Sequence, residues 1–397
     1  MLARWVMGAV LEFQRTVFQE EHEAFRRSVR GFLESEVVPQ YAKWEEDGFT
    51  PREIWRRAGE IGLLGTSLPE AFGGAGGDFK FDAVVLEELG KLGLAAPAWD
   101  MHAYIVAPFL THFGTDGQKQ NWLPRMASGE AISAIGLTEP NAGSDLAGIR
   151  THAKGDGNGY RINGSKIFIT NGIIADLVLL AAKTAPELGA KGVSLFLVDT
   201  KTPGFRRGRK LKKVGNHAQD TAELFFDDMH VPADALLGES ENQGWSQLMH
   251  GLAQERMVVA VRSMAMARSA FETTLEHVRN RVAFGKPIAS FQNTRFKLAE
   301  IETDIDVGQP FVDLCIESLA ENRLSPEMAA KAKLWTTDLA DRVLDECVQL
   351  HGGYGYMWEY PVARAWADAR VHRIYAGTNE VMKQIISRDY VDRERQP

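Results

Sequence analysis

The spacing of hydrophobic and polar positions changes twice along the 397-residue chain. In the first region, apolar residues recur every three to four positions among Glu and Arg, a spacing that places them on one side of an α-helix. This pattern predicts helices over Phe18–Trp44, Arg52–Leu64, Phe81–Leu92 and Asp116–Ala127. We therefore expect an N-terminal α-helical domain over residues 1–130.

After about Ala131 the pattern becomes one of short apolar runs separated by Gly, Pro and Asp. The segment GYRINGSKIFITNG alternates polar and apolar residues around Asn163-Gly164, a dipeptide that strongly indicates a hairpin turn. The runs DLVLLAAK, GVSLFLVDT and AELFFDDMHVP have the length and composition of further strands. These features predict a compact β domain, a β-barrel, over residues 131–244.

The helical spacing returns at Trp245 and continues almost to the end of the chain. It predicts long helices over 245–282, 291–321 and 325–352, and a shorter helix from about Asn379. Helices of these lengths suit a four-helix bundle, which we assign to residues 245–397. The predicted fold class is therefore multidomain α+β, in the order helical domain, β-barrel domain, four-helix-bundle domain.

The first helix of the predicted bundle contains an unexpected charge, in the stretch LAQERMVVA. Leu248, Leu252 and Val259 form its apolar stripe, and Glu255 falls on the same stripe. A buried carboxylate is costly unless another group pairs with it or uses it. The adjacent Arg256 projects about a hundred degrees away around the helix, so the pattern supplies no automatic partner.

Composition narrows the class of protein. With 45% hydrophobic and 25% charged residues the chain is typical of a globular protein, and its net charge of -8 argues against a nucleic-acid partner. No apolar run reaches the length of a membrane span, so we expect no membrane insertion. Two cysteines fit a reducing compartment. The start, MLARWVMGAV, is interpreted as a frayed or extended N-terminus without a transit peptide, which favours the bacterial cytoplasm.

Four motifs carry candidate chemistry, and the first three also have a purely structural interpretation. GLTEPNAGSD (136–145) could grip a ligand or form an elaborate turn, and FITNG (168–172) could present an aromatic ring beside a hydroxyl or be an ordinary strand. RVAFGKPI (281–288) could hold a pyrophosphate with Arg281 or simply cap a helix. QLHGGYGY (349–356) packs glycines among aromatics, which suits a large flat ligand. The chain contains neither a metal-ligand spacing nor a G-x-S-x-G elbow, so no metal is expected.

Taken together, TEPNAGSD, KIFITNG, RVAFGKP, CVQLHGGYGY and YAGTNE, in this order on a helical–β–helical chain, resemble the acyl-CoA dehydrogenase family. The resemblance extends from about Phe18 to Tyr390, and the C-terminal run is most similar to the long-chain members. It implies an FAD enzyme, usually a homotetramer, that converts an acyl-CoA to a trans-2-enoyl-CoA in fatty-acid β-oxidation. It also implies electron-transfer flavoprotein as the electron acceptor.

The resemblance assigns roles position by position. Ser144 matches the serine between flavin and acyl-CoA, and Arg256 an arginine near the CoA portion. The positions that match FAD-contacting residues, Ser144 included, are Leu137, Thr138, Ser144, Phe168, Thr170, Arg281, Phe284, Gln292, Gln349, Gly352, Gly353, Thr378 and Glu380. Among them, Arg281 matches an arginine that reaches the FAD pyrophosphate of a neighbouring subunit, with Phe284 and Gln292 near it.

One position departs from the commoner family pattern. Many members carry the catalytic base in Y-E-G-T, whereas this chain has Tyr375-Ala376-Gly377-Thr378, and alanine cannot accept a proton. The isovaleryl-CoA and long-chain branches place the glutamate on the helix that opens the C-terminal bundle, which is the position of Glu255. The resemblance therefore implies that Glu255 removes the α-proton and that the backbone N–H of Ala376 binds the thioester carbonyl.

Several alternatives stay open at the level of sequence. The substrate could be a short branched acyl-CoA, since the isovaleryl branch shares the base position. The same scaffold could support oxidase or monooxygenase chemistry, and Ala376 leaves room for a non-catalytic flavin-fold binding protein. A buried Glu255 paired with a nearby cation would be only structural.

Overall fold

The computed structural model describes residues 15–391, so the interpretation of the first residues as a frayed terminus lies outside the described part. The N-terminal region is helical, as predicted. Its helices are α1 (Glu20–Phe32), α2 (Val38–Asp47), α3 (Arg52–Glu60), α4 (Phe79–Lys91), α5 (Ala107–Phe113) and α6 (Asp116–Ala127), with π-helical turns at Leu33–Val37 and Asp100–Val106.

Local signals explain where two of these helices end or begin. Gly48 ends α2 in a left-handed conformation, with φ of 74°, which glycine adopts without steric cost. Thr115 and Gln118 form a reciprocal capping box at the start of α6. The sequence pattern missed the helical segment 100–113, because most of its side chains are buried and no amphipathic period is left to detect.

The middle region is a curled seven-stranded sheet. Its strands are β1 (Ser133–Gly136), β2 (His152–Gly155), β3 (Gly159–Thr170), β4 (Leu177–Lys183), β5 (Val193–Asp199), β6 (Phe205–Lys210) and β7 (Thr221–Pro232). They are ordered β1-β4-β2-β3-β7-β6, and β5 pairs with β4. Among the described strands β5 and β6 do not pair with each other, so the closed barrel stays a prediction.

The predicted hairpin turn at Asn163-Gly164 is wrong. Both residues lie inside the single long strand β3, where a register shift separates Ile162 from Gly164. Gly164 is needed there because an added Cβ would lie 2.7 Å from the Cα of Thr151. The reversal comes earlier, between the antiparallel strands β2 and β3, so the glycine serves close backbone packing within a strand.

The C-terminal region contains the four predicted helices and one that the pattern missed. These are α7 (Gly244–Asn280), α8 (Gln292–Ala320), α9 (Pro326–His351), α10 (Pro361–Ala369) and α11 (Asn379–Val391), with the short ribbon β8 (Val282–Ala283) and β9 (Lys286–Pro287). Helix α9 packs against α7, α8 and α11. The four-helix bundle as a specific architecture stays a prediction, whereas the order helical, β, helical is confirmed.

One hydrophobic core joins the two helical regions. It includes Val29 of α1, Leu86 of α4, Val261 of α7, Ile305 of α8 and Leu339 of α9. Helix α7 therefore lies between the N-terminal helices and the other helices of the C-terminal region. Glu255 lies in the first half of α7. No helix within residues 15–391 has the length and apolar content that a bilayer span requires.

Candidate active site

Glu255 on α7 is a partly buried carboxylate that makes neither a hydrogen bond nor an ion pair with any described residue. Burial raises its pKa to about 7, and the nearby positive charges of Arg256 and Lys333 only partly oppose this effect. A carboxylate with a pKa near neutrality is well matched to accept a proton. The interpretation of Glu255 as half of a structural ion pair therefore finds no partner in the described chain.

The segment after α10 approaches this carboxylate. The residues on both sides of Ala376 are linked to Glu255: Tyr375 interacts with it electrostatically, and Lys333, which also acts on Glu255, hydrogen-bonds the carbonyl of Gly377. Ala376 has φ of 55°, an uncommon conformation for a residue with a side chain. Its backbone N–H has no acceptor among residues 15–391. The site thus combines an unpaired acceptor with an unpaired donor, the pair that deprotonation next to a carbonyl requires.

In the middle region, a buried ion pair holds the loop that contains Leu137 and Thr138. The Lys166 ammonium donates to Glu139 Oε1 at 2.7 Å and to the carbonyl of Leu137 at 3.1 Å. Glu139 also accepts the backbone N–H groups of Arg150 and Thr151. Burial works against the charge of Glu139, but Lys166 and these hydrogen bonds outweigh it, so its pKa lies below the usual value.

We expect Lys166→Met to destabilise the protein by about 3–5 kcal/mol, because Glu139 would remain buried without its cation. The measurement is the midpoint of thermal unfolding. The double variant Glu139→Gln/Lys166→Met should recover part of the loss, since it also removes the stranded charge. Lys43→Met is the matched control, because Lys43 pairs with Asp47 on the surface, where such pairs contribute about 0–1 kcal/mol. Equal effects of the two single variants would contradict the expectation.

Phe168 and Thr170 lie on either side of the buried Ile169 near the end of β3. Phe168 has φ of 62° and is 64% exposed, although a large aromatic residue is normally buried. The strand is irregular here, with a register shift between Lys166 and Ile169. An exposed ring on a bulged strand suits stacking on a flat ligand. Ser144 is exposed and makes no hydrogen bond with a described residue.

A second group of predicted residues lines one cavity of about 450 Å³ at the end of α7 and α9. Arg281, Gln349, Gly352 and Gly353 border this cavity. Its other lining residues are His277, Ile288, Leu350, His351, Tyr354 and Met357. Most of them belong to the motifs singled out in the sequence, whereas His277 of α7 lies outside those motifs. An added Cβ on either glycine would meet no described atom within 4 Å, so the backbone borders open space there.

The remaining predicted residues are spread around these groups. Phe284 is 95% exposed at the tip of the β8–β9 ribbon, and Gln292 is exposed at the start of α8. Thr378 caps α11 by accepting the N–H of Val381, and the exposed Glu380 follows it. Arg256 is buried, and its Nε has no hydrogen-bond partner among the described residues.

Sequence analysis also missed Lys333 of α9, which is fully buried beside the Ala376 segment. Its only signal was a charge within the small-residue run AAKAKLW. Among residues 15–391 no group of three or more His, Cys, Asp or Glu could hold a metal ion.

Comparisons with known proteins agree with this architecture. The N-terminal, middle and C-terminal domain models of acyl-CoA dehydrogenase match residues 19–130, 134–229 and 242–391. The mitochondrial long-chain specific acyl-CoA dehydrogenase of Sus scrofa is 48% identical over 379 residues, which are 95% of this chain and 88% of that protein.

Two solved structures extend the comparison. An acyl-CoA dehydrogenase from Geobacillus kaustophilus has a TM-score of 0.93 and 48% identity, covering 95% of this chain and 100% of that chain. A chain in a structure of the electron transferring flavoprotein of Acidaminococcus fermentans has a TM-score of 0.91 and 34% identity, covering 96% and 100%. On these matches and the architecture above, the chain belongs to the acyl-CoA dehydrogenase family of oxidoreductases.

Proposed function

We propose that this chain is an FAD-dependent dehydrogenase of acyl-CoA thioesters that uses Glu255 as its α-proton base. The observation that carries the proposal is the unpaired Glu255 carboxylate, whose pKa burial raises to about 7 and which interacts electrostatically with Tyr375, the residue before the unpaired N–H of Ala376. The family pattern places a glutamate immediately before Gly377, and this chain has none there. Glu255 is the carboxylate available for that role.

The residues present fit FAD. Arg281 offers a guanidinium for a pyrophosphate, and Gly352 and Gly353 leave room for a large ligand against the backbone. The exposed ring of Phe168 offers a stacking surface, with Thr170 two residues further along β3. The loop of Leu137 and Thr138 lies against this strand, since the carbonyl of Thr138 accepts the N–H of Ile167 at 2.9 Å. We assign Gln349, Thr378 and Glu380 to FAD as well. Arg281, with Phe284 and Gln292 near it, is assigned to the FAD of a neighbouring subunit in the proposed homotetramer. When bound, FAD supplies the acceptor for the β-hydride.

The chain's own groups perform the acid–base part of the reaction. Glu255 accepts the α-proton, and its partly apolar surroundings make it a stronger base than an exposed carboxylate. The N–H of Ala376 donates to the thioester carbonyl, where negative charge develops as the proton leaves. We assign Ser144 to the boundary between cofactor and acyl group. The buried Arg256, with its unpartnered Nε, is assigned to the CoA portion.

We propose long-chain acyl-CoA, straight or branched, as the substrate, and fatty-acid β-oxidation as the setting. The support is the similarity to a long-chain specific relative. The second candidate substrate is a short branched acyl-CoA, because the isovaleryl-CoA branch of the family has its catalytic glutamate at the position of Glu255. Electron-transfer flavoprotein is the proposed electron acceptor and a homotetramer the proposed assembly. The location in the bacterial cytoplasm stays a prediction, because the mitochondrial relatives do not decide it.

The test is an acyl-CoA panel, from short and branched to long, mixed anaerobically with the purified protein while flavin absorbance is followed. We expect a yellow protein that long-chain substrates bleach at least tenfold faster, per unit concentration, than isovaleryl-CoA, because each buried methylene contributes about 0.8 kcal/mol to binding. Faster bleaching by isovaleryl-CoA would favour the second candidate. Rapid oxygen consumption during substrate oxidation would favour an oxidase. A colourless purified protein would favour a non-catalytic binding protein.

A further inference from the structure

Lys333 carries a buried positive charge that the proposed reaction does not yet use. It is fully buried on α9 and makes no ion pair with a described carboxylate. Its ammonium donates to two neutral acceptors, the carbonyl of Gly377 at 2.9 Å and Asn379 Oδ1 at 2.8 Å. Burial lowers its pKa to about 8, so most of the ammonium is charged at neutral pH. Burying a cation without a directly bonded carboxylate is energetically unfavourable. We therefore expect this charge to have a role in the site.

Both acceptors belong to the segment that presents the Ala376 N–H. Ala376 and Gly377 adopt φ of 55° and 83°, so two successive residues are left-handed. A left-handed alanine costs about 1–2 kcal/mol, and such a turn persists only if its surroundings hold it. Lys333 binds this turn immediately after Ala376. Asn379 is in turn fixed by its bonds to Thr337 and Asp338.

The other side of the turn is held through an aromatic contact. His372 stacks on Tyr375 with ring centroids 5.5 Å apart, and Ser263 of α7 hydrogen-bonds His372 Nδ1 at 2.8 Å. Burial lowers the pKa of His372 to about 3, so the ring is neutral and adds no charge. Lys333 is therefore the cationic anchor of the turn that carries Ala376.

Lys333 also acts electrostatically on the candidate base. The charged or titratable groups that act on Glu255 are Arg256 of α7, Lys333 of α9 and Tyr375. Besides Glu255, the charged or titratable groups that interact with Lys333 are Asp338, Glu380, Arg256, Arg373 and His372. Lys333 differs from Arg256 in touching both parts of the site, since it binds the Ala376 turn and acts on Glu255 through space.

We propose that Lys333 is a positioning residue for α-proton abstraction, which holds the Ala376 N–H toward the thioester carbonyl and whose charge favours the ionised form of Glu255. This inference rests on the proposed function. No proton passes through Lys333. Its two effects are separable, because the hydrogen bonds act on the geometry of the turn and the charge acts on the base.

The first measurement follows the turn itself in the FAD-loaded protein. Amide hydrogen exchange, read by mass spectrometry over peptides that cover 374–379, should be at least tenfold faster in Lys333→Met than in wild type. Lys333→Arg should fall between them, since it keeps the charge and can donate to at least one acceptor. Lys297→Met is the matched control, because Lys297 pairs with Glu346 between α8 and α9, away from this turn. Exchange in Lys333→Met equal to that in Lys297→Met would overturn the inference.

The second measurement isolates proton abstraction. An acyl-CoA with deuterium at the α-carbon and sulfur in place of the β-carbon can lose its α-deuteron but has no β-hydrogen to transfer. We expect Lys333→Met to slow washout of the deuterium at least tenfold at pH 7 while changing the apparent dissociation constant little. In Lys333→Met, the midpoint of the pH dependence of washout should rise by about 0.5–1 unit, because the cation that favoured the ionised form of Glu255 has been removed. Lys333→Arg should restore the midpoint, and an unchanged midpoint in Lys333→Met would overturn the electrostatic part.

Asn379→Ala keeps the inference testable if Lys333→Met does not fold. It removes one acceptor and leaves the Lys333 charge, so exchange of the turn should accelerate while the pH midpoint stays at the wild-type value. If amide exchange over 374–379 in Asn379→Ala equalled that in wild type, Lys333 would not anchor the turn through Asn379. If the pH midpoint of deuterium washout shifted in Asn379→Ala, the hydrogen bonds and the charge of Lys333 would not have separate effects. Failure of the proposed function would be seen separately in the wild-type protein. That protein would then neither catalyse loss of the α-deuterium nor show flavin reduction by any acyl-CoA of the panel. The exchange data still decide whether Lys333 holds the turn.

Discussion

Glu255→Gln is expected to slow reduction of the flavin by acyl-CoA by orders of magnitude while the protein keeps its cofactor and still binds substrate. Glutamine has nearly the same size as glutamate but cannot accept the α-proton. A positioned general base contributes about 10²–10⁴-fold to a rate, and the loss should fall in this range. The measurement is the rate of flavin bleaching after rapid mixing, with cofactor content read from the visible spectrum.

The same substitution should make the substrate-free protein more stable above neutral pH. Burial raises the pKa of Glu255 from 4.5 to about 7, so its stabilising contribution is complete below pH 4.5 and is lost as the pH rises through 7. Glutamine carries no charge at any pH and removes this penalty. We expect a gain of about 1–3 kcal/mol at pH 8 and almost none at pH 4.5.

Glu272→Gln is the matched control, because Glu272 is an exposed glutamate on the same helix. It should change neither the bleaching rate nor the pH dependence of stability. Near-normal bleaching in Glu255→Gln would remove Glu255 from the role of base. Wild-type bleaching should itself fall below about pH 7, as Glu255 becomes protonated.

The sequence predicted most of the helical framework because long amphipathic helices repeat their signal over many turns. Asp116–Ala127 was predicted at the bounds at which α6 is observed, and in the structure Thr115 caps its start. The pattern failed where burial is complete or where a short signal has a second use. Segment 100–113 shows no polar face, and Asn163-Gly164 provides close backbone packing inside β3 instead of a turn.

In the candidate site, too, one residue could be predicted from the sequence pattern and another could not. Glu255 could be found because a carboxylate interrupts a clear apolar stripe. Lys333 could not, because its neighbours Ala329, Ala330 and Ala332 are too small to define a face, although all are buried. Lysine also keeps its ammonium in water along many helix surfaces, so a lysine in such a run carries little information. Its contacts with Gly377 and Asn379 depend on a segment more than forty residues away, which only the fold brings near.

Glu255→Gln/Ala376→Glu is expected to regain activity relative to Glu255→Gln alone. The commoner family pattern has a glutamate at the position of Ala376, and Tyr375, the residue before it, interacts electrostatically with Glu255. Ala376 is left-handed although it has a side chain, so a longer side chain adds little backbone strain. We expect a gain of about 10–10³-fold in bleaching rate, within the usual contribution of a general base, and less than wild-type activity because the pocket is built around Glu255.

Three comparisons make this result specific to a transferred base. Glu255→Gln/Ala376→Gln has a side chain of the same size that cannot accept a proton, so it should stay inactive. Ala376→Glu alone places two carboxylates close together, which should raise the pKa of one of them and shift the pH profile of bleaching upward. Equal inactivity of the two double variants, with FAD retained in both, would mean that the Ala376 segment does not face the reacting α-carbon. That outcome would also remove the Ala376 N–H as the donor to the thioester carbonyl, since both roles depend on the same placement of this turn.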